Sequence, residues 1–561
     1  MLVDLKTPQG ESLNGTPWDV YPRPQMRRDS WLNLNGQWDF CWGTEDRKIL
    51  VPFCPESALS GIGKHYSDGD ALCYRRRFTL PEGFCRGRVL LHIGAVDQTA
   101  EVFVNDHRVC SHSGGYEAFS CDITTVLAED NELVVRCRDD LRTTLMPYGK
   151  QTLKRGGMWY TPVSGIWQTV WLESVPETYI RKLNIENRGT SVTITTEPAL
   201  NGTVTVAGLG KYDLRDGKVT ITPENPRLWS PEDPYLYDFT VEAGEDKVAS
   251  YFALRTLEIK QIGAYRRLCL NGKPYFFHGL LDQGYWPDGL FTPASPQCYA
   301  DDILAMKKLG FNMLRKHIKV EPEEFYYQCD KLGMIVFQDM VNNGKYNYFR
   351  DTVLTTLFLR SHTMADKNFH RDPATRRAFL EGMTATVNQL KNHPCICYWT
   401  IFNEGWGQFD SDNVCMELRK LDDTRFIDAT SGWFRQKESD VDSRHVYFRK
   451  VDLKGGQKPL VLSEFGGYSY KIKGHSFNPD KTYGYGKFQK REEFVKALTE
   501  LYMEQVVPCV KNGLCAAVYT QVSDVEDETN GLLTYDRKVE KLTAEEMLPI
   551  AEALQKAVLE K

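Results

Sequence analysis

The sequence predicts a multidomain fold, in which a jelly-roll β-sandwich and an Ig-like β-sandwich precede a (β/α)8 TIM barrel. The chain has 561 residues, too many for one hydrophobic core, so several domains are expected. Residues 1–180 and 181–259 consist of short apolar or alternating runs separated by turn residues, which is typical of β-sandwiches. In residues 260–561, strand-like and helix-like runs alternate, which is typical of a parallel barrel.

The first domain, residues 1–180, is expected to be the jelly roll. Runs at 88–93, 100–105, 132–137 and 168–173 are apolar or alternate between apolar and other residues, so they are predicted strands. Asn, Asp and Gly residues stand between the runs and mark turns.

The second domain, residues 181–259, is expected to be a small Ig-like sandwich. The runs at 190–196 and 235–241 alternate with the two-residue period of a half-buried strand. Prolines mark its loops and strand edges, at Pro223, Pro226, Pro231 and Pro234.

The third domain, residues 260–561, is expected to be the barrel. Its eight predicted strands are 276–281, 313–315, 334–338, 396–402, 427–430, 445–448, 460–462 and 516–519. Its predicted helices are 300–309, with Asp301 and Asp302 at its start, 321–332, 376–390 and 491–507. A doubly wound sheet is the alternative, but no GxGxxG turn follows the first strand.

Composition excludes several classes of partner. The formal net charge is -6 and the pI is about 6.1, which argues against nucleic acid. No secretory signal and no apolar run of membrane-spanning length, ~18 residues, is visible, so no membrane partner is expected. The 15 cysteines are scattered, without a CxxC pair or a zinc-like cluster. We therefore expect reduced thiols, a cytoplasmic location and no zinc site of clustered cysteines and histidines.

Two glutamates carry the strongest chemical signal. Glu404 and Glu464 each stand where a predicted strand ends and a glycine-containing loop begins. Because barrel enzymes place their catalytic groups at the carboxyl ends of strands, the two carboxylates are expected to face each other across the mouth. Paired carboxyls of this kind can serve as acid and nucleophile in glycoside cleavage with retention. Taken singly, each could instead cap a helix or pair with an arginine at the barrel rim.

The segments 402–404, Phe-Asn-Glu, and 463–467, Ser-Glu-Phe-Gly-Gly, resemble the acid and nucleophile motifs of glycoside hydrolase family 2. The resemblance extends along the chain to Asn-Gly-Gln-Trp-Asp-Phe at 35–40, Tyr-Arg-Arg-Arg-Phe at 74–78 and Leu-Asn-Gly-Lys-Pro at 270–274. It implies the jelly-roll, Ig-like and barrel order, and an exo-acting retaining β-glycosidase that needs no cofactor and acts on a carbohydrate substrate.

The resemblance also assigns roles to residues. Glu404 would be the general acid/base and Glu464 the nucleophile. Asn403 would hold the sugar next to the reacting carbon, and Arg315 would keep Glu464 ionised. For Arg315, a salt bridge at the barrel rim is the alternative.

Several further residues are candidates for substrate binding or support. Tyr447 resembles the tyrosine that donates a hydrogen bond to the nucleophile, but His445 points to the same strand face and could do so instead. The remaining candidates follow predicted strands and are Asp282, Trp286, Trp406, Trp433, Gln521 and Asn530. Loop packing is an alternative for Trp286. Glu526, Asp527 and Glu528 are interpreted as a solvated acidic loop, although they could reach sugar hydroxyls.

The sequence leaves the sugar open. β-Glucuronidases carry an Asn-x-Lys pair after the last strand, whereas residues 528–530 here read Glu-Thr-Asn. Because many members of the family that the chain resembles act on galactosides, the expected activity is β-galactosidase-like, with β-glucuronidase, β-mannosidase, arabinosidase and galactofuranosidase as alternatives. A non-catalytic glycan-binding relative and an unrelated barrel enzyme with Glu404 and Glu464 as metal ligands are the rival hypotheses. Association into a homo-oligomer is possible for such architectures.

Overall fold

The structure is a computed structural model that describes residues 2–66, 69–347, 351, 362–363 and 365–560. It has the three predicted parts in the predicted order, two β-sandwiches and a barrel of eight parallel strands. No helix among these described residues is long and apolar enough to span a membrane.

The first sandwich packs a six-stranded sheet against a four-stranded one. The six-stranded antiparallel sheet runs in the order Glu45–Val51, Gly36–Trp42, Leu72–Phe78, Asn131–Arg138, Thr99–Val104 and His107–Ser113. The four-stranded sheet runs in the order Trp31–Asn33, Val170–Val175, Arg88–Ile93 and Phe119–Asp122. Along Asn131–Arg138, every second side chain is buried, so this strand contributes one face to the core between the sheets.

One cysteine pair departs from the sequence-based expectation. Cys110 and Cys121 form a disulfide that joins a strand of each sheet in the first sandwich. The expectation of reduced thiols is therefore wrong for this pair, because the sheet packing brings together two cysteines that lie on different strands. The other cysteines in the described part of the chain are free, and most of them are buried.

The second sandwich is smaller. One sheet contains Lys182–Arg188, Ser191–Glu197 and Lys218–Ile221, and the other contains Gly210–Leu214, Gly202–Val206, Tyr237–Ala243 and Asp246–Phe252. Alternating Val, Ile and Phe side chains of the two sheets form its core. A three-stranded meander, Leu257–Ile262, Tyr265–Leu270 and Lys273–Pro274, leads into the barrel.

The barrel strands are β1 Phe277–Asp282, β2 Met313–Lys316, β3 Ile335–Asp339, β4 Ile396–Asn403, β5 Phe426–Ser431, β6 Asp442–Val446, β7 Leu460–Phe465 and β8 Leu514–Tyr519. They pair in parallel in the order β5-β4-β3-β2-β1-β8-β7-β6, and β5 and β6 lie side by side, so the ring is nearly closed. Almost every strand residue is buried, as expected for a sheet with side chains filling its interior and helices outside.

The helices around the barrel are α1 Gln297–Lys308, α2 Glu323–Leu332, α3 Pro373–Leu390, α4 Ser411–Leu421, α5 Arg491–Glu500, α6 Val507–Lys511 and α7 Ala544–Leu559, with a π-helical segment Leu501–Val506 between α5 and α6. Short elements complete the fold: Pro8–Glu11, Thr124–Val126, Val96–Asp97 paired with Gly165–Ile166, His362–Thr363 with Phe434–Arg435, and Tyr468–Tyr470 with Tyr485–Phe488.

Two predicted positions differ from the structure. α1 begins at Gln297, so Asp301 and Asp302 lie in its second turn and cannot act on its N-terminal dipole. β6 ends at Val446, and Tyr447 therefore lies in the loop that follows the strand.

The first sandwich docks onto the carboxyl end of the barrel through residues 148–161. The backbone N–H of Tyr148 donates to the carbonyl of Asn342 at 3.0 Å. The backbone N–H of Thr161 donates to the Glu526 carboxylate at 2.8 Å. Arg155 pairs with Asp527 at 3.1 Å. This docking places part of the first domain beside the ends of the barrel strands, where the candidate site lies.

Candidate active site

The two glutamates lie at the carboxyl ends of β4 and β7. Glu464 is within β7, and Glu404 directly follows β4, with its backbone N–H donating to Ser431 at 2.9 Å. Glu404 has a φ of +52°, a conformation that non-glycine residues adopt rarely and often at functional sites. Both side chains are largely buried, with 15% of the Glu404 side chain and 7% of the Glu464 side chain exposed.

Arg315, at the end of β2, holds several site residues together. Its Nη1 donates to Glu464 Oε1 at 3.0 Å, and its Nη2 donates to Asn403 Oδ1 at 2.8 Å. Behind these contacts, its Nε donates to Asp339 Oδ1 at 3.0 Å. The guanidinium is buried and fully paired, so Arg315 is a central group of the site and the rim alternative does not describe it.

Glu464 is held as a carboxylate. Tyr447 donates its hydroxyl hydrogen to Glu464 Oε2 at 2.6 Å. Burial opposes ionisation, but the charges of His445 and Arg315 outweigh it and hold the pKa of Glu464 well below its usual range. Thr520 lies 2.8 Å from the Tyr447 oxygen and, since the tyrosine hydrogen is used, donates to it.

His445 contacts the other carboxylate. Its Nδ1 lies 2.7 Å from Glu404 Oε1, and its Nε2 lies 2.8 Å from the Ser431 hydroxyl. The distance from Nε2 to Glu464 Oε1 is longer, 3.6 Å. The structure thus separates the two alternatives that the sequence left open, because Tyr447 hydrogen-bonds Glu464 and His445 hydrogen-bonds Glu404.

One atom each of Glu404, His445 and Glu464 lie within 4.8 Å of one another, so the group could hold a metal ion. However, Glu404 is already hydrogen-bonded by His445, and Glu464 is already paired with Arg315. A cation at this position would have to compete with both contacts. The arrangement therefore suits acid–base and nucleophilic chemistry better than metal binding.

A cavity opens above the two glutamates. It is lined by Lys150, Met158, Leu281, Gln283, His317, Asn403, Glu404, Tyr447, Glu464, Tyr483, Tyr485, Thr520, Glu528 and Asn530. Lys150 and Met158 belong to the first sandwich, and no local sequence motif indicates that they reach the barrel. Of the acidic run after the last strand, Glu528 is the residue that lines the cavity. Tyr485 stacks on Tyr447 at 4.3 Å, which fixes the ring that contacts Glu464.

The part of the cavity that we call its floor is formed by the loop after β8 together with Lys150 of the first sandwich. Glu528 and Asn530 line the cavity, and Gln521 lies behind them. The Gln521 amide donates to Glu528 at 2.7 Å and to Asn530 at 2.9 Å, and its oxygen accepts from Gln283 at 2.8 Å. Gln521 therefore positions other cavity residues, and its polar atoms are occupied.

The interpretation of residues 526–528 as a solvated acidic loop is wrong. Glu526, Asp527 and Glu528 are all buried. The docked first domain supplies partners to two of them, Thr161 to Glu526 and Arg155 to Asp527. The sequence of this loop alone could not reveal a partner from another domain.

Two tryptophans flank the glutamates without lining the cavity. Trp406 is buried and stacks on Trp159 of the first domain at 5.1 Å. Trp433 lies edge-on to His445, with the ring centroids 5.5 Å apart. Trp406 lies beneath Lys150, which lines the cavity. Trp433 lies beside His445, which contacts Glu404.

The two candidate residues at and after the end of β1, Asp282 and Trp286, do not line the cavity. Trp286 is buried beneath the Arg537 guanidinium, 4.0 Å from its ring centre, and packs against Tyr299. The expectation that Trp286 stacks on a sugar is therefore wrong, and its loop-packing alternative fits. Asp282 accepts from Lys316 at 2.6 Å and from the Gly284 N–H at 2.9 Å. Because these contacts occupy both carboxylate oxygens, Asp282 stabilises the loop instead of facing a ligand.

Comparison with known families gives three matches in chain order. The model for glycosyl hydrolases family 2, TIM barrel domain, matches residues 262–547. The model for glycosyl hydrolases family 2 matches residues 177–255, and the model for the glycosyl hydrolase 2 galactose-binding domain-like region matches residues 65–182.

The individual relatives share low sequence identity with this chain. A β-galactosidase of Thermoanaerobacter pseudethanolicus is 24% identical over 73% of this chain and 58% of its own length. A β-glucuronidase of Bacteroides fragilis is 23% identical over 66% of this chain and 56% of its own length. The chain thus spans little more than half the length of the curated relatives it matches.

Solved structures share the fold. A β-D-glucuronidase of Dictyoglomus thermophilum superimposes with a TM-score of 0.72 at 19% identity, covering 96% of this chain and 98% of that one. A family 2 β-galacturonidase of Eisenbergiella tayi, bound to galacturonate, gives 0.66 at 19% identity, covering 96% and 99%. At these identities the likeness establishes the common architecture alone.

Proposed function

The chain belongs to glycoside hydrolase family 2, and from this premise we propose that it is an exo-acting β-glycosidase that works by double displacement with retention. Glu464 is the nucleophile and Glu404 the general acid/base. No cofactor or metal takes part, and the substrate is a glycoside or oligosaccharide.

The spacing of the two carboxyls is the observation that carries this proposal. An oxygen of Glu404 lies within 4.8 Å of an oxygen of Glu464. Retaining glycosidases have carboxyl groups about 5–5.5 Å apart, whereas inverting enzymes need about 6.5–9.5 Å to admit a water molecule. The short spacing favours direct attack by one carboxylate over attack by a water.

In the first step, Glu464 attacks the anomeric carbon and the glycosidic C–O bond breaks, while Glu404 gives its proton to the leaving oxygen. Arg315 and Tyr447 keep Glu464 ionised before the attack. The Asn403 oxygen accepts from Arg315, so its amide N–H groups are left to hold a sugar hydroxyl next to the reacting carbon.

In the second step, Glu404 takes a proton from water, and the resulting hydroxide attacks the anomeric carbon. The bond from the sugar to Glu464 breaks, and the sugar leaves with its β configuration restored. His445 fixes the Glu404 carboxyl through both steps, since it contacts Glu404 on one side and Ser431 on the other.

The proposed sugar is a β-galactoside-like terminal residue. The pocket is bounded by residues of two domains, which suits one terminal sugar better than an internal segment of a long chain. β-Glucuronides, β-mannosides, arabinosides and galactofuranosides are the alternatives that the same machinery could serve.

A panel of nitrophenyl glycosides combined with proton NMR tests this proposal. We expect hydrolysis of at least one β-glycoside, with the β-anomer of the free sugar appearing first and the α-anomer only later by mutarotation. Initial release of the α-anomer would indicate inversion, and absence of hydrolysis across the panel would favour a non-catalytic glycan-binding protein.

A further inference from the structure

Lys150 brings a positive charge from the first sandwich into the cavity. The residue is 7% exposed, and its Nζ lies 5.2 Å from the ring centre of Trp406 and 5.9 Å from that of Tyr160. Within the part of the chain that the structure describes, no hydrogen bond reaches this ammonium and no carboxylate lies within the 4.0 Å of an ion pair. The ammonium has cation–π contacts but no hydrogen-bond acceptor among the described residues, so a ligand group that accepts hydrogen bonds would stabilise it further.

Glu528 faces the same cavity from the loop after β8. One of its oxygens is fixed by the Gln521 amide at 2.7 Å. Burial raises the pKa of Glu528 to about 7, while the charge of Lys150 acts in the opposite direction. Lys150 and Glu528 therefore line one cavity from two domains without forming an ion pair, and the charge of Lys150 acts on Glu528.

The relative position of Lys150 and Glu528 is fixed by the docking of the two domains. Next to Lys150, the Tyr148 N–H bonds to Asn342 of the barrel at 3.0 Å. On the other side, Glu528 belongs to a tight turn in which Val525 and Glu528 exchange backbone hydrogen bonds of 3.0 and 2.8 Å. Backbone hydrogen bonds thus fix the chain next to both charged groups, as a preformed binding site requires.

We propose that Lys150 and Glu528 together bind a hydroxyl group of a neutral terminal sugar, and that Glu528 excludes uronic acids; this inference rests on the proposed glycosidase function. A hydroxyl accepts from the ammonium and at the same time donates to the carboxylate. With hydrogen bonds of about 2.7–3.0 Å, one hydroxyl bridges a separation of up to ~6 Å. Above pH ~7, where Glu528 is ionised, a sugar carboxylate has no proton to give and would place a second negative charge beside Glu528.

The balance of charge around the cavity favours the neutral sugar. Lys150 alone would attract a uronic acid, because an ammonium pairs well with a carboxylate. Three carboxyl groups line the same cavity, however, on Glu404, Glu464 and Glu528. Of these, Glu528 is the one without an arginine or histidine contact among the described residues, so its charge is the one that a sugar carboxylate would meet.

Matched pairs of nitrophenyl β-glycosides test this inference, namely galactoside with galacturonide and glucoside with glucuronide. At about pH 8, where Glu528 is ionised, we expect the wild type to prefer the neutral member of each pair. Glu528→Gln keeps the shape and removes the charge, so it should lower kcat/KM for the neutral sugar roughly tenfold and raise the uronide-to-neutral ratio by at least as much. Lys150→Met should lower kcat/KM for the neutral sugar roughly tenfold without any gain for the uronide.

Two control variants carry the same chemical changes outside the cavity. Glu540→Gln removes an exposed carboxylate outside the cavity and the docking contacts, and Lys154→Met removes an exposed ammonium from the same segment of the first domain as Lys150. Both should leave the uronide-to-neutral ratio unchanged. Circular dichroism of each variant checks that the fold is retained.

Calorimetry with free sugars separates this inference from the proposed function. Glu464→Gln serves as the background, since binding does not require turnover. We expect galactose or another neutral sugar to bind, the matching uronic acid not to bind, and Glu528→Gln to reduce this difference. Tighter binding of the uronic acid, or an equal response to both sugars before and after Glu528→Gln, would overturn the inference even if hydrolysis is observed. Absence of hydrolysis alongside selective binding would instead contradict the proposed function and leave the inference standing.

Discussion

The catalytic pair and the floor of the cavity are built in different ways. Glu404 and Glu464 stand at the ends of β4 and β7, and both are held by side chains of the same barrel. The floor combines Lys150 of the first sandwich with Glu528 and Asn530 of the loop after β8. Under the proposed function, the chemistry uses side chains of one domain, whereas the cavity that would hold the sugar is lined by residues of two domains.

This comparison predicts two classes of variant. Changes to the catalytic pair and its partners should alter the hydrolysis of every sugar in the same proportion when the leaving group is the same. Changes to Lys150 or Glu528 should alter the ratio between substrates. A variant of the catalytic pair that changes sugar preference would break the distinction.

The largest expected effect belongs to Glu464. Glu464→Ala should lower kcat for all substrates by about 10⁴-fold or more, because no other group can form the covalent intermediate. Steady-state rates with two different glycosides measure the loss, and Glu540→Ala, at an exposed position outside the site, is the control. Activity near that of the wild type in a clean Glu464→Ala preparation would contradict the assignment.

Tyr447→Phe should have the next largest effect. Loss of its hydrogen bond to the Glu464 carboxylate should lower kcat/KM by about 10- to 150-fold, the usual range for a bond to a charged group. The same bond lowers the pKa of Glu464, so its removal raises that pKa. Protonation of Glu464 then begins at a higher pH, and the acidic limb of the pH–rate profile should move upward by about one to two units.

Tyr502→Phe is the matched control for this variant, because the Tyr502 hydroxyl is buried without a hydrogen-bond partner among the described residues. It should leave the pH profile in place. An acidic limb that is unchanged in Tyr447→Phe would show that the tyrosine does not act on the ionisation of Glu464.

His445→Asn should have a smaller effect that depends on the leaving group. His445 orients Glu404, so its loss should impair protonation of the leaving oxygen. Above the acidic limb of the pH–rate profile, where Glu464 stays ionised, we expect a drop of roughly tenfold in kcat/KM for a glycoside with a poor leaving group, and little change for a dinitrophenyl glycoside that needs no acid. An equal loss for both leaving groups would argue for a general structural role.

The smallest expected effect is that of metal removal. Although Glu404, His445 and Glu464 lie close enough to hold an ion, the present hydrogen bonds already satisfy them. Incubation with a chelator followed by an activity assay should change kcat by less than about twofold. A large loss that zinc or magnesium restores would favour a metal-dependent reaction.

The positions of the barrel strands and of the two glutamates can be predicted from the sequence, because each is marked by residues next to it in the chain. Each strand carries its own apolar run, and each glutamate follows such a run directly, so position along the strand decides position in the barrel. Arg315 could be placed for the same reason, since it ends β2.

The remaining residues depend on contacts between distant segments. Glu526, Asp527 and Glu528 resemble a solvated loop in the sequence, but the docked first domain buries them. The sequence suggests that Trp286 stacks on a sugar, yet the guanidinium of Arg537, far along the chain, covers its ring. Lys150 lies in no recognisable sequence motif, and it reaches the cavity only because its domain docks onto the barrel. Short sequence patterns cannot reveal contacts between residues that lie far apart in the chain.

Trapping of the covalent intermediate tests the central claim most directly. The enzyme is incubated with a fluoro-sugar that carries a good leaving group and matches its best substrate, and the digested protein is analysed by mass spectrometry. We predict one sugar per chain, attached to Glu464, and no label in Glu464→Gln. A label on another residue, or an active enzyme that is never labelled, would contradict the assignment of Glu464 as the nucleophile.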